Sequence, residues 1–241
     1  MLTIVINPFS LFIMSIMDNI KVVGYLGSSQ HKVYHAKIFG HSFVLKIRTA
    51  EDRITKEDEI LQTIDHPNIV KCFGKYLPDP IIKKLIPDAW EVIVMEYIEG
   101  YQLRCLEHNP ILSVRDVYYI ILDLLRTVYY LHNRGIIHND IHMDNILQTG
   151  SKKIYLIDFG EATTFSPCKQ EMPPNDDIEN VITIGFQLAK WIKQGNSNRI
   201  YDRLHLYIND SCYSCGGRIV YAKNFTAKEA LQLWSQSTSS L

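Results

Sequence analysis

The chain of 241 residues has no excess of either charge, with 25 lysines and arginines against 26 aspartates and glutamates. Without a broad basic field, nucleic acid is not an expected partner. Cysteine is scarce and odd in number, five residues scattered along the chain. This excludes a disulfide framework and fits reduced thiols in a cytoplasmic protein. Cys212 and Cys215 form one C-x-x-C beside Gly216 and Gly217. A zinc site needs two further ligands and only His205 is near, so none is expected. No internal repeat and no low-complexity tract is present. Long apolar runs are also missing. Residues 1–17, MLTIVINPFSLFIMSIM, carry no charge, but they are short for a bilayer, Pro8 interrupts them and no basic stretch precedes them. No membrane anchor is expected. Met14 and Met17 close the segment, so residues 1–17 read as lying upstream of the true start. Hydrophobic residues make up 46% of the chain, and its length suits one large domain or two small lobes sharing a cleft.

The stretch Ile136 to Gly160, IIHNDIHMDNILQTGSKKIYLIDFG, concentrates the polar chemistry. His138, Asp140, Asn145 and Asp158 stand among eight isoleucines and leucines that a packed core would claim. Polar groups held beside such a core need partners or a ligand. Asp140 and Asn145 share one loop, and Asp158 follows a strand that the Thr149 to Lys153 turn folds back beside it. One carboxylate is then available as a base, while an amide oxygen and a second carboxylate share a hard, oxygen-seeking cation such as Mg²⁺. Phosphoryl transfer asks for this arrangement.

His138-Asn139-Asp140 followed by Asn145, then Asp158-Phe159-Gly160, resembles the catalytic loop and magnesium-binding turn of the eukaryotic-type protein kinases. The resemblance implies a two-lobed α+β fold, with a small antiparallel-sheet first lobe over residues 18–97 and a mainly helical second lobe over 98–234. A polar tail covers 235–241. It also implies ATP and Mg²⁺ as cofactors, Asp140 as the base that takes the substrate hydroxyl proton, and Asn145 and Asp158 as magnesium ligands.

Strand-like runs Ile20 to Leu26, Lys32 to Ile38 and Ser42 to Ile47 predict an antiparallel meander. Leu26-Gly27-Ser28-Ser29, followed by Val33, resembles the kinase phosphate loop, with Gly27 the one matching glycine. Gly27, Ser28 and Val33 are therefore candidate nucleotide contacts. Lys46 lies in the apolar strand Val44 to Ile47. Thr49 with Asp52 reads as a helix N-cap, after which Ile54, Leu61 and Ile64 recur on one face up to Pro67. Glu57 falls on that stripe, where a carboxylate needs a partner, and Lys46 is the natural one. Glu57 matches the kinase glutamate of this ion pair, so the resemblance gives Lys46 the α- and β-phosphates of ATP. Residues Lys75 to Ala89, with three prolines, read as a loop insertion. Val94-Met95-Glu96-Tyr97-Ile98 resembles the gatekeeper and hinge, with Met95 lining the adenine pocket and the backbones of Glu96 and Ile98 reading the adenine edge.

Ser113 with Asp116 caps a long helix whose apolar stripe runs from Val117 to Leu131 and ends near Gly135. Residues Val181 to Ile192 form a second apolar helix, and Thr226 to Trp234 resembles a late kinase segment. Asp176-Asp177 resembles the acidic start of the helix that anchors the catalytic loop, only nineteen residues after Asp158. That leaves little room for an activation loop. Pro173-Pro174 stands where the family has A-P-E, and Asn224 where it has the partner arginine. Such a trimmed form suits a compact genome such as a large virus's.

Asn139 replaces the arginine with which a phosphorylated activation loop pairs, so that switch is unavailable. His142 stands where most protein kinases have a lysine beside the transferred phosphate, and is counted with Asp140 and Lys46 as catalytic. The reading is a Ser/Thr protein kinase acting on a protein hydroxyl. A small-molecule hydroxyl kinase and a non-catalytic pseudokinase are the alternatives. Histidine titrates at about 6.5. If protonated His142 serves the reaction, turnover falls as pH rises through its titration, and a flat pH–rate profile refutes that role.

Overall fold

The computed structural model describes residues 20–27, 32–52, 55–108, 112–165, 176–192, 198–205 and 226–236. Ser28, residues 1–17, Ile54, Pro173-Pro174, Cys212, Cys215, Asn224 and the tail beyond Gln236 lie outside them. The chain divides into two compact units. One runs to Asp65 and takes in Val70–Ile98; the other holds His66–Ile69 and everything from Glu99 onward.

In the first unit alternating side chains build a five-stranded antiparallel sheet. Its strands are β1 (Ile20–Tyr25), β2 (Lys32–Ile38), β3 (His41–Thr49), β4 (Cys72–Tyr76) and β5 (Ala89–Glu96), in the order β1-β2-β3-β5-β4. The two-residue turn from β2 to β3 puts both Phe39 (φ 49°) and Gly40 (φ 82°) in the left-handed region, as a tight hairpin between twisted strands requires. Ala36, Ile38, Leu45, Ile47, Val92 and Val94 are buried together as the core of this unit.

Two expectations are corrected here. Helix α1 spans Glu57–Gln62, so Thr49 and Asp52 do not cap it. Instead the Asp52 carboxylate accepts from the Thr49 N–H and hydroxyl, and Asp52 N–H donates to the Thr49 carbonyl, closing a turn at the end of β3. Arg48 then engages the Thr55 hydroxyl and carbonyl, holding the chain there before α1 begins. Residues 75–89 are not wholly loop, because helix α2 spans Pro80–Leu85. Asp79 caps it by accepting from Ile82 N–H at 2.7 Å, and Pro80 occupies the first turn, where a missing N–H is harmless.

The second unit is mainly helical. Helix α3 (Val114–His132) opens on a capping box in which Ser113 and Asp116 exchange side-chain-to-backbone bonds. Its stripe of Val117, Ile120, Ile121, Leu124, Leu125, Val128 and Leu131 is buried, and Gly135 turns the chain just beyond its end at φ 68°. The short strands are β6 (Gly100–Gln102), β7 (Ile136–Ile137), β8 (Ile146–Thr149), β9 (Ile154–Leu156) and β10 (Thr163–Thr164). They pair as a β6-β8-β9 sheet and a β7-β10 ribbon. Helices α4 (Asp176–Lys190), α5 (Asn198–His205) and α6 (Ala227–Ser235) complete the unit. The antiparallel-sheet unit and the mainly helical unit together make the expected α+β class. Among the described residues no helix is long and apolar enough to cross a membrane.

Helix α6 begins with a second capping box, Thr226 with Glu229, and ends by burying Trp234 against α3. The indole stacks on Tyr118, centroids 5.7 Å apart, and its N–H donates to the Tyr118 carbonyl at 3.1 Å. Truncating so large a buried ring leaves a cavity and an unpaired acceptor. Trp234→Ala is expected to lower the stability of this unit by about 3–5 kcal/mol, read from urea unfolding midpoints.

Candidate active site

In the first unit, the pleat of β3 places Lys46 and Arg48 two residues apart, hence on one face. Lys46 Nζ lies 2.8 Å from Glu57 Oε2 on α1, and both side chains are buried. A buried ion pair holds only when further partners surround it. Arg48 supplies them: its guanidinium donates to Glu91 Oε1 at 2.7 Å and to Thr55, and comes within 3.9 Å of Glu57 Oε2. Lys75 extends the chain of alternating charge, 3.2 Å from Asp58 and 3.9 Å from Glu91. Burial works to lower the Lys75 pKa, but the bond to Asp58 and the nearby carboxylates raise it above its ordinary value. Burial pushes the nearby Cys72 thiol up to about 11, so it stays neutral. Arg48, Asp58, Lys75 and Glu91 were not among the expected site residues. The signal was there in Lys46-Ile47-Arg48, two cations on the same face of an apolar strand.

Of the other expected nucleotide contacts described in this unit, Val33, Met95 and Glu96 lie on its strands, and Gly27 and Ile98 just beyond strand ends. Gly27 adopts φ 72°, and Val33 carbonyl closes its turn by accepting from Leu26 N–H at 2.9 Å. Val33 pairs directly opposite Lys46 across the β2–β3 ladder. Met95 is buried on β5, opposite Val44 on one side and Cys72 on the other. Glu96 uses its N–H on the Lys71 carbonyl at 2.9 Å, and Ile98 is half-buried at the end of the unit.

In the second unit, the loop after β7 is built around Asp177 in the first turn of α4. The Asp177 carboxylate accepts from the backbone N–H of His138 and of Asn139, each at 2.9 Å, and from His132 Nε2 at 3.0 Å. Burial works to raise its pKa, but the His132 bond, the nearby His138 and its backbone donor outweigh burial and hold the carboxyl below the usual carboxylate range. His138 is fully buried and uses both ring nitrogens in its neutral form. Nδ1 accepts from Asp140 N–H at 3.2 Å and Nε2 donates to the Ile157 carbonyl at 3.3 Å. Burial holds its pKa below the ordinary value. Its ring also packs edge-on against Phe159, 4.6 Å between centroids.

Asn145, at the end of a short 3-10 turn (Met143–Asn145), is the link between the other residues. Its Nδ2 donates to the Asp140 carbonyl at 3.0 Å and to Asp140 Oδ2 at 2.8 Å, while its own carbonyl accepts from Ile157 N–H at 2.9 Å. That last bond brings Asp158, the next residue, alongside. Asp158 sits in the left-handed region at φ 60°, and its Oδ1 accepts from Gly160 N–H at 3.2 Å. His142 is wired into the same loop. Its Nδ1 accepts from Asp144 N–H at 3.3 Å, and its Nε2 lies 3.0 Å from Asn145 Nδ2 and 3.4 Å from Asp140 Oδ2. Arg104 grips both Asp144 oxygens at 2.7 and 2.8 Å and holds that carboxyl below its ordinary pKa, a brace that sequence reasoning missed.

The second unit thus gathers Asp140, His142, Asn145 and Asp158, and the first gathers Lys46, Glu57, Val33 and Met95. The buried, neutral His138 makes a prediction about acid. An unfolded histidine takes up a proton below pH 6.5, whereas the folded state resists it, so the unfolded chain binds more protons there and stability falls as pH drops. Urea midpoints for the second unit are expected to decline between about pH 6.5 and pH 5. His138→Phe should flatten that slope.

The description "Protein kinase domain" matches residues 21–202 of the chain. Serine/threonine-protein kinase 36 of Pongo abelii is 32% identical over 136 residues, covering 55% of this chain and 10% of that protein. Mitogen-activated protein kinase kinase kinase kinase 3 of Homo sapiens is 36% identical over 121 residues, covering 48% of the chain and 12% of that protein. Cell division control protein 7 of Schizosaccharomyces pombe is 38% identical over 112 residues, 46% of the chain and 10% of that protein. The chain therefore spans only a small part of the length of the curated relatives it matches. The matched span runs from β1 into α5 and takes in the residues just described in each unit, and the chain belongs to the protein kinase domain family.

Proposed function

We propose that the chain is a serine/threonine protein kinase domain that passes the γ-phosphoryl of ATP to a protein hydroxyl with Mg²⁺. The family uses ATP and usually a divalent metal, and the relatives carry serine/threonine-protein kinase names. The observation that carries the reading is the pair of hydrogen bonds that Asn145 Nδ2 donates to the Asp140 carbonyl and carboxylate. It holds the base and turns one amide end inward, so that Asn145 Oδ1, engaged by no donor among the described residues, is the end left for a cation. Asp158 follows Ile157, whose N–H is bonded to the Asn145 backbone carbonyl, and adds a carboxylate, so the ligand atoms offered are oxygens, which fits a hard ion such as Mg²⁺. Bound there, the metal would neutralise charge on the phosphates.

The chain's own residues take defined parts. Asp140 Oδ2 is tied to Asn145, which leaves Oδ1 to receive the hydroxyl proton. Lys46, aimed by Glu57, is the phosphate anchor. Gly27 and Val33 border the phosphates, with Ser28 the third candidate there, and Met95 lines the adenine pocket. The Glu96 N–H is already taken by Lys71, so the adenine edge falls to the Glu96 carbonyl and the Ile98 backbone. His142, 3.4 Å from Asp140, sits where it would touch the transferred phosphoryl group. The free thiols of Cys72 and Cys105 among the described residues support a cytoplasmic setting. Nothing in the relatives' names favours a small-molecule acceptor or a non-catalytic module.

Transfer of labelled γ-phosphate to a generic protein mixture tests the proposal. Asp140→Asn is expected to lower transfer by about 10²–10⁴-fold, the range for a lost general base, with ATP binding retained, and Asp158→Asn to lower transfer through the loss of a carboxylate ligand to the metal. Phosphoamino-acid analysis should find phosphoserine or phosphothreonine. Label confined to small alcohols, or equal silence of wild type and variants, counts against it.

A further inference from the structure

Asn139 occupies the left-handed region at φ 65°, which asparagine tolerates better than most residues. Its backbone N–H is held by Asp177 Oδ1, so its side chain has one direction open. The amide nitrogen has two hydrogens and uses both: it donates to the Glu161 carbonyl and to Thr163 Oγ1, each at 2.9 Å. Those acceptors lie on the chain leaving the Asp158 turn. The same stretch is fastened by Ala162 N–H to the Phe159 carbonyl at 3.1 Å and by the pairing of Thr163 and Thr164 with β7. Phe165 N–H to the Gly135 carbonyl at 2.7 Å closes it. Glu161, Thr163 and Thr164 are exposed, and Ala162 and Phe165 only half-buried. Phe159 is buried, but beyond it so little apolar surface is covered that hydrogen bonds decide whether the stretch is ordered.

A cation at position 139 would grip this segment only through an anion placed on it. A neutral amide grips a carbonyl and a hydroxyl that the unmodified chain already has. We propose that Asn139 is a positioning residue that keeps residues 159–165, and with them Asp158, ordered in the unphosphorylated chain. The proposal rests on reading the Asp140 loop as a phosphotransfer site. It makes turnover constitutive with respect to phosphorylation of this segment.

The test uses the full chain after phosphatase treatment, with amide hydrogen exchange over residues 159–165 and phosphoryl transfer to protein measured side by side. Asn139→Gly keeps the left-handed backbone and deletes the amide. Thr163→Val deletes one acceptor at an exposed position without loosening the backbone. Asn139→Gly is expected to speed exchange in 159–165 roughly tenfold and to lower kcat several-fold with KM for ATP unchanged. Thr163→Val should move both in the same direction by less. Asp140→Asn should exchange like wild type, showing that order in the segment is independent of chemistry. Unchanged exchange in Asn139→Gly overturns the proposal, as does a wild type that loses its protection or its turnover when dephosphorylated. If wild type transfers no phosphate yet Asn139→Gly still speeds exchange, the clamp stands and the phosphotransfer reading falls.

Discussion

The second unit depends on one buried carboxylate. Asp177 has no solvent exposure, and an unpaired charge there would be costly. Its two oxygens are met by two backbone N–H groups and an imidazole. The position is also favourable for a negative charge, because Asp177 lies in the first turn of α4, where the helix dipole is positive. His132 is the last residue of α3, so this carboxylate ties the end of one core helix to the start of another. The loop between β7 and β8 is drawn against that junction. With His138 and Asn139 pinned, the backbone has little choice in where Asp140 emerges, and Asn145 fixes the side chain.

The two units bury charge by opposite means. Asp177 is satisfied by two backbone N–H groups and one imidazole, so its negative charge is dispersed into hydrogen bonds. In the first unit, Lys46, Glu57, Arg48, Glu91, Lys75 and Asp58 alternate in sign along a chain of contacts. Each buried member there is compensated by a neighbour of opposite sign, with Lys75 the exposed end of the chain, and removing a buried partner would leave the others with the desolvation already incurred. The two arrangements share a result: the groups that would meet a nucleotide are held by residues that would not.

Much of this was legible in the chain. Strand-like runs marked β1, β2 and β3, and the wide apolar stripe behind Ser113 and Asp116 marked α3. The polar residues His138, Asp140, Asn145 and Asp158 stood out because a core surrounded them. The misreadings have local causes. Asp52 makes the carboxylate half of a capping box with Thr49, but its own N–H goes to the Thr49 carbonyl instead of the hydroxyl, so the pair closes a strand end, and Arg48 engages Thr55 before the helix begins. Three prolines between residues 75 and 89 disguised α2, although Asp79-Pro80 is itself a helix start. Arg48 was passed over because a cation on an apolar strand looks solvent-directed until its distant partner, Glu91, is known. Helix α5 had no apolar run to announce it.

Helix α1 has a mechanical consequence. Six residues make a rod only about 9 Å long, and most of its backbone donors and acceptors fall at its ends, where no intrahelical partner exists. Its N-terminus has no side-chain cap either. Such a piece has little stiffness and no leverage, so a push at one end is not delivered to the other. The position of Glu57 is therefore inherited from the sheet beneath it through Lys46 and Arg48. In this chain the lysine–glutamate pair is set among electrostatic neighbours on the strand beside it.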